Sequence, residues 1–347
     1  MTDIDVHTTL IGGGFGRKYE GDYGLDAALL ANAVPGRPVK VVWTREDDFH
    51  NGKYRPLEAQ FVEVDINNQN EIAGWRHHIV ADSIMARYAP SIFEQSKGID
   101  IPVVEGIEAN YDIINMSAVY TRVDTGVEVG FWRSVGPGYT KLAVEGMLDE
   151  VAAEIKADPL EFRLNLLKQE PRAQAVLNTV AEMSGWRDRE YRSGMGIAYS
   201  DAFGSHCAQV AKIEFDPNTL EIRVTNVWCA FDPGIAMQPI NIESQIMGGI
   251  IFGMSHVLNE SITFADGAVQ EANFNDYPVL RMSQAPSIEM RIITSPGSKP
   301  GGVGEAGVPP IGPAIANAFA SLTGGARLRH YPFTSKQILQ AQRAISR

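Results

Sequence analysis

The sequence predicts an α+β fold, and three observations carry that expectation. Stretches of period-two alternation and stretches of helical period both occur, but in blocks, without the regular strand–helix–strand rhythm of a doubly wound sheet. Joints rich in Asn, Gly and Pro separate the blocks. Glycine-rich turns stand near both ends of the chain, at residues 12–16 and 301–307.

Each element follows from a local pattern. Leu25, Ala28, Leu29 and Ala31 recur at helical spacing after a glycine turn, which predicts a helix over 21–34. Residues 37–44 (Arg-Pro-Val-Lys-Val-Val-Trp-Thr) alternate like a strand. Strands over 58–66 and 71–82 are joined by the polar turn Asn67-Asn68-Gln69-Asn70. From Thr140 the period changes, and Leu142, Val144, Met147, Leu148, Val151 and Ile155 form an amphipathic stripe ending near Asp158-Pro159. Short helices follow over 159–167 and 172–184, then strands over 207–215 and 220–231. A buried glycine-containing helix over 240–258, a strand over 288–294 and a helix over 313–322 complete the pattern. The helical block ends at Gly185-Trp186-Arg187-Asp188, which predicts two regions, 1–190 and 191–347.

Composition narrows the function classes. The chain of 347 residues is 44% hydrophobic and 21% charged, enough for a substantial core. A formal charge of −12 and the lack of a basic tract argue against a nucleic-acid partner. No run reaches the ~20 apolar residues of a membrane span; residues 246–258 are short and broken by Ser255 and His256. The start, Met1-Thr2-Asp3-Ile4-Asp5, lacks the pattern of an export signal, so a cytoplasmic chain is expected. A partner carrying such a signal would place the complex in the periplasm. Cys207 and Cys229 flank a hairpin at Asp216-Pro217-Asn218-Thr219 and are expected as free buried thiols. Two cysteines hold no iron–sulfur cluster. His77 and His78 are consecutive on a strand, face opposite ways and cannot share an ion, so no metal-ligand set is expected from side chains. The serine-hydrolase elbow is also absent from the sequence.

Three segments carry chemistry. Gly301-Gly302-Val303-Gly304-Glu305-Ala306-Gly307 sets one carboxylate among glycines ahead of a helix, where backbone can lie close to a ligand. Glu305 there suits a general base, against the plainer reading of a solvated turn acid. Residues 10–18 (Leu-Ile-Gly-Gly-Gly-Phe-Gly-Arg-Lys) fail both the dinucleotide and P-loop patterns. They leave a nest of amides suited to an oxo or phosphate group, or a tight turn of steric origin. In Phe131-Trp132-Arg133-Ser134-Val135-Gly136, Arg133 either grips an anionic ligand or stacks on Trp132 at the surface. Gln245, ahead of Gly248-Gly249, either bonds a ligand or begins a helix.

Together these segments resemble the molybdenum-binding large subunit of the xanthine dehydrogenase/aldehyde oxidase family. The resemblance rests on residues 12–18, 131–136, the paired helices around Leu148-Asp149-Glu150-Val151 and Asp158-Pro159-Leu160-Glu161-Phe162-Arg163, and residues 302–310. Trp132-Arg133-Ser134-Val135-Gly136, Asp276-Tyr277-Pro278-Val279-Leu280-Arg281-Met282 and Gly248-Gly249-Ile250-Ile251-Phe252-Gly253 look like the branch of isoquinoline 1-oxidoreductase β subunits, nicotinate dehydrogenases and membrane-linked aldehyde dehydrogenases. The resemblance implies molybdopterin-binding domains and a molybdenum–molybdopterin cytosine dinucleotide cofactor. It implies oxidation of an N-heteroaromatic or aldehyde, with water as oxygen donor and Glu305 as base. Gly13, Gly14, Phe15, Gly16, Arg133, Gln245, Gly302 and Gly304 would lie against the cofactor. Electrons would pass to [2Fe–2S] clusters in a small partner and onward to a cytochrome c. Such subunits are roughly twice this length and carry a G-Q-G-type loop missing here, so a second molybdenum-binding chain is expected to complete the cradle. A non-catalytic scaffold subunit, or a fragment, is the alternative.

Overall fold

The computed structural model describes residues 4–108 and 110–345, so Met1-Thr2-Asp3 of the export-signal argument lie outside the described residues. After an extended segment and the glycine turn come α1 (Asp22–Ala33) and α2 (Arg45–Asn51). Thr44 and Asp47 start α2 with a reciprocal capping box. β1 (Glu58–Ile66) and β2 (Ile72–Ala81) pair antiparallel across a turn in which Asn67 Oδ1 accepts the Gln69 and Glu71 amides. Three short helices, α3 (Ile84–Tyr88), α4 (Pro90–Gln95) and α5 (Ile101–Val104), lead to β3 (Met116–Arg122), which joins β2 in parallel.

The helical block is α6 (Pro137–Glu154), α7 (Pro159–Leu166) and α8 (Pro171–Ser184). Asp158 caps α7 through two amides, and Gly185 ends α8 in the left-handed region. Then come β4 (Met195–Ala202), β5 (Ser205–Asp216) and β6 (Glu221–Asp232), followed by α9 (Pro239–Leu258). The hairpin β7 (Phe264–Ala265) and β8 (Ala268–Val269) precedes β9 (Ser287–Ile292), α10 (Ile311–Thr323) and α11 (Ser335–Ile345). The second sheet has the order β4-β5-β6-β9, with only β6–β9 parallel. The fold is therefore mixed, as composition and periodicity predicted.

β4, the first half of β5 and the second half of β6 are buried on both faces, whereas the hairpin ends of β5 and β6 alternate buried with exposed residues. Ala198, Cys207, Ala211, Cys229 and Phe231 pack toward α9 and α10, whereas Ile197, Tyr199, Ala208, Val210 and Ala230 pack toward α6–α8. The second cluster also takes Ile72 and Trp75 from β2, so one core runs across residue 190. Cys207 and Cys229 are free buried thiols, as expected, with Sγ atoms 3.6 Å apart. His77 is buried against Gln60 while His78 bonds Thr121, on opposite faces.

The N-terminal region departs from expectation. Residues 37–44, read as a strand, join no ladder, and neither does the apolar stretch before the glycine turn. Strand character needs a partner for its amides, and the described residues offer none there. The helix over 21–34 does form as α1, but none of its residues is buried. β3, β4 and the three short helices between β2 and β3 carried too little periodicity to be predicted.

Candidate active site

Three separate loops meet at one cleft. The turn at 12–16 has positive φ at Gly13 (53°), Phe15 (52°) and Gly16 (94°), which bends the backbone sharply. Only glycine fits at 16, where a Cβ would lie 2.4 Å from the Phe131 carbonyl oxygen. Arg17 forks onto Asp22 at 2.9 and 2.8 Å, pinning the turn to the start of α1. The second loop, 131–136, docks on it through the Arg133 amide, which donates to the Phe15 carbonyl at 3.0 Å. The third, 301–310, precedes α10. Its Gly307 lies so close to α9 that a Cβ would meet the Ile246 carbonyl at 2.7 Å.

These loops enclose a cleft of about 480 Å³ lined by residues 13–16 and by Trp132, Arg133, Val135, Gln245, Gly304 and Glu305, with Tyr19 and Phe131 at its aromatic side. Seven of the eight cofactor-side residues expected from the sequence, together with Glu305, therefore border one space. Gly302 does not. Its amide donates to the Phe203 carbonyl at 2.7 Å and its carbonyl accepts from Ser205 Oγ at 2.8 Å, so it splices the loop onto the β4–β5 turn.

Arg133 departs from the surface reading. It is buried, not a surface side chain on Trp132, and its guanidinium lies 5.6 Å from each of the Phe15 and Phe252 rings, which stack at 5.2 Å. Two of its three nitrogens are engaged within the chain: Nε donates to the Gly304 carbonyl at 2.7 Å, and Nη2 to the Gln245 carbonyl and Oε1 at 3.1 and 3.2 Å. It braces α9 against the Glu305 loop. Burial lowers its pKa, with the Glu305 carboxylate opposing that shift.

Glu305 Oε1 accepts the Ser134 amide at 2.9 Å. Ser134 and Val135 both hold positive φ, 92° and 50°, a conformation costing of order 1–3 kcal/mol per residue. That strain aims the amide at the carboxylate. Sequence reasoning missed a second layer of charge. Glu105, after α5, has its pKa raised first by burial and then by the nearby Glu305 charge, with Lys141 opposing. Lys141, fully buried on α6, donates to Asp201 at 2.8 Å. Lys141, Glu145 and Asp149 recur every four residues along α6 and are all buried, and that charged row was the signal available for it.

A strained glycine turn, a braced arginine and an acid in a glycine loop around one cleft define a cofactor-cradling α+β protein. The chain belongs to the molybdopterin cofactor-binding domain family: one profile described as molybdopterin cofactor-binding domain matches residues 1–167, and a second of the same description matches 143–286. It is 38% identical, over 92% of its length, to the β subunit of an isoquinoline 1-oxidoreductase from Brevundimonas diminuta. A membrane-bound aldehyde dehydrogenase from Gluconacetobacter polyoxogenes is 30% identical over 97% of the chain, and a nicotinate dehydrogenase subunit from Pseudomonas putida 29% over 97%. The chain spans 42%, 47% and 30% of those three proteins. In fold it matches quinoline 2-oxidoreductase from Pseudomonas putida 86 with a TM-score of 0.81 at 15% identity, covering 96% of this chain and 68% of that one. Aldehyde oxidoreductase from Desulfovibrio gigas gives 0.79 at 14%, covering 96% and 54%. Among the described residues, no helix is long and apolar enough to cross a membrane, and no cluster of three metal-ligating side chains occurs.

Proposed function

We propose that this chain forms one wall of a molybdenum–molybdopterin site and supplies its general base, Glu305, in an oxidoreductase hydroxylating an N-heteroaromatic or aldehyde. The observation carrying this reading is the convergence of residues 13–16, Arg133, Gln245 and Glu305 on a single cleft. The positive-φ glycine turn would let backbone lie close against such a group, with Arg133, Gln245 and Glu305 bordering the same cleft. When bound, the group supplies the electron acceptor and the centre at which water becomes the oxygen donor.

The chain's own part is positioning and proton transfer. The Glu305 carboxylate takes a proton at its oxygens, while the Ser134 amide holds Oε1 in place. Arg133 keeps Gln245 and Gly304 at a fixed separation. Phe15, Phe131 and Trp132 offer apolar walls to a flat substrate. Residues 1–190 and 191–347 would serve as two cofactor-facing regions, and the cytosine dinucleotide would extend the cofactor beyond the cleft.

The chain would act within a heteromeric complex. A second molybdenum-binding chain would cover the exposed Ile4, Val6, Leu10, Ile11, Leu25 and Leu29 and pair with the strand-like segments that lack partners. A small [2Fe–2S] subunit would take the electrons and hand them to a cytochrome c. The complex would be cytoplasmic unless a partner directs its export. Glu305→Gln in the assembled complex tests the base: molybdenum content stays unchanged and turnover falls at least ~10²-fold. Unchanged turnover would leave the chain a scaffold.

A further inference from the structure

Three rings from three separate segments meet on one flank of the Glu305 cleft. Tyr19, just past the glycine turn, has its ring centre 4.9 Å from that of Phe131, with the planes at 66°. Tyr88, at the end of α3, lies 5.2 Å from Phe131 at 88° and 5.5 Å from Tyr19 at 44°. These are separations and edge-on angles that aromatic pairs prefer. Tyr19 and Phe131 border the cleft, and Tyr88 stands against both of them. Tyr19 is 66% exposed, so its edge contact with Phe131 leaves most of its surface open.

A charge-paired knot among the neighbouring residues gathers these rings. Arg87 forks onto the Glu20 carboxylate, with Nη1 to Oε2 at 3.0 Å and Nη2 to Oε1. Its Nε and Nη2 also donate to the Val129 carbonyl at 3.1 and 2.8 Å. Glu20, Arg87 and Val129 each stand one or two residues from a ring, so tying them fixes the spacing of all three. Glycine at 130 lets the knot close, since a Cβ there would lie 3.1 Å from Glu20 Oε1. Glu20 and Arg87 neutralise each other, and the charged side chains that border the cleft, Arg133 and Glu305, are held by Gly304, Gln245 and Ser134. The flank therefore offers ring surface and not charge. We propose that Tyr19 and Phe131 form a specificity wall, with Tyr88 as a positioning residue, that selects an aromatic substrate over an aliphatic aldehyde of the same size. The inference rests on the reading of the Glu305 cleft as the substrate site and narrows its substrate class to N-heteroaromatics and aryl aldehydes.

Binding to the assembled complex, followed by saturation-transfer NMR without an electron acceptor, tests it independently of turnover. Benzyl alcohol and cyclohexylmethanol serve as probes, because they share a hydroxymethyl group and differ in whether the ring is aromatic. Benzyl alcohol should bind about three- to tenfold more tightly. Tyr19→Leu and Tyr88→Leu should bring that ratio close to one, whereas Tyr19→Phe and Tyr88→Phe should keep it. Circular-dichroism melts and molybdenum content show which variants fold and assemble, and if Tyr19→Leu does not, Tyr88→Leu carries the comparison. Equal affinity in the unsubstituted complex, or an undiminished ratio in a folded leucine variant, overturns the proposal. A ratio lost in Tyr19→Phe overturns it as well, since selection would then lie with the hydroxyl. The two readings fail separately: unchanged turnover in Glu305→Gln removes the base and leaves the ratio standing, whereas a ratio of one with turnover lost in Glu305→Gln removes the ring wall alone.

Discussion

Replacing Glu58 with glutamine isolates the electrostatics of the start of β1. Burial raises this carboxyl from 4.5 to about 8, with the Arg55 charge and the Gln60 hydrogen bond acting in the opposite direction. The folded state therefore binds more protons than the unfolded chain between those two values. By linkage, Glu58 lowers stability progressively as pH rises through that window, and the penalty is complete above about pH 8. At pH 7 the relevant gap is about 2.5 units, which at ~1.36 kcal/mol per unit is on the order of 3 kcal/mol. Glutamine keeps the shape and cannot ionise. Glu58→Gln should match the unsubstituted protein near pH 4 and exceed it by about that amount at pH 7. Urea unfolding followed across this range reads the difference directly, because the histidines cancel between the two proteins. Parallel stability curves, or a less stable variant at pH 7, would refute the reasoning.

Two further substitutions probe the frame around the Glu305 cleft. Gly16→Ala should destabilise the chain by about 1–3 kcal/mol in urea unfolding, since it sets a Cβ against the Phe131 carbonyl at a left-handed position. Lys141→Met should cost about 3–5 kcal/mol by stranding Asp201, which is 13% exposed, whereas adding Asp201→Asn should recover most of that loss. A double variant no more stable than the single one would show that the ion pair is not what Lys141 provides.

What the sequence made legible follows a physical divide. Elements with their own periodicity and stops, such as α6 with its Leu142–Ile155 stripe or the β1–β2 hairpin with its Asn67 turn, were readable because local pattern and tertiary burial agree. The glycine turn and the Glu305 loop were readable because left-handed backbone and close approach demand residues that stand out in a sequence. Residues 37–44 misled, since alternation reports a preference for a ladder and not the presence of a neighbour. The bracing bonds of Arg133 were not legible, because two of its acceptors are the carbonyls of Gln245 and Gly304, more than a hundred residues away, and backbone acceptors leave no mark on composition. Phe252 and Glu105 were silent because only the packing of α9 and α5 brings them to the site.

The two sides of the Glu305 cleft are built on unequal foundations. The loop bearing Glu305 runs into α10, where Ile311, Ala314, Ile315, Ala318 and Phe319 have almost no contact with water. The glycine turn opposite is moored by polar and ring contacts, the Arg17–Asp22 fork, the Phe15–Arg133 bond, the Phe15–Phe252 stack and the Glu20–Arg87 ion pair just beyond it, and it leads into a helix with no buried residue. Amide exchange should therefore be quick on the turn side and slow on the helix side, since local opening follows contact density. A bulky prosthetic group could then be admitted by yielding on one flank alone, with the acid held in register throughout.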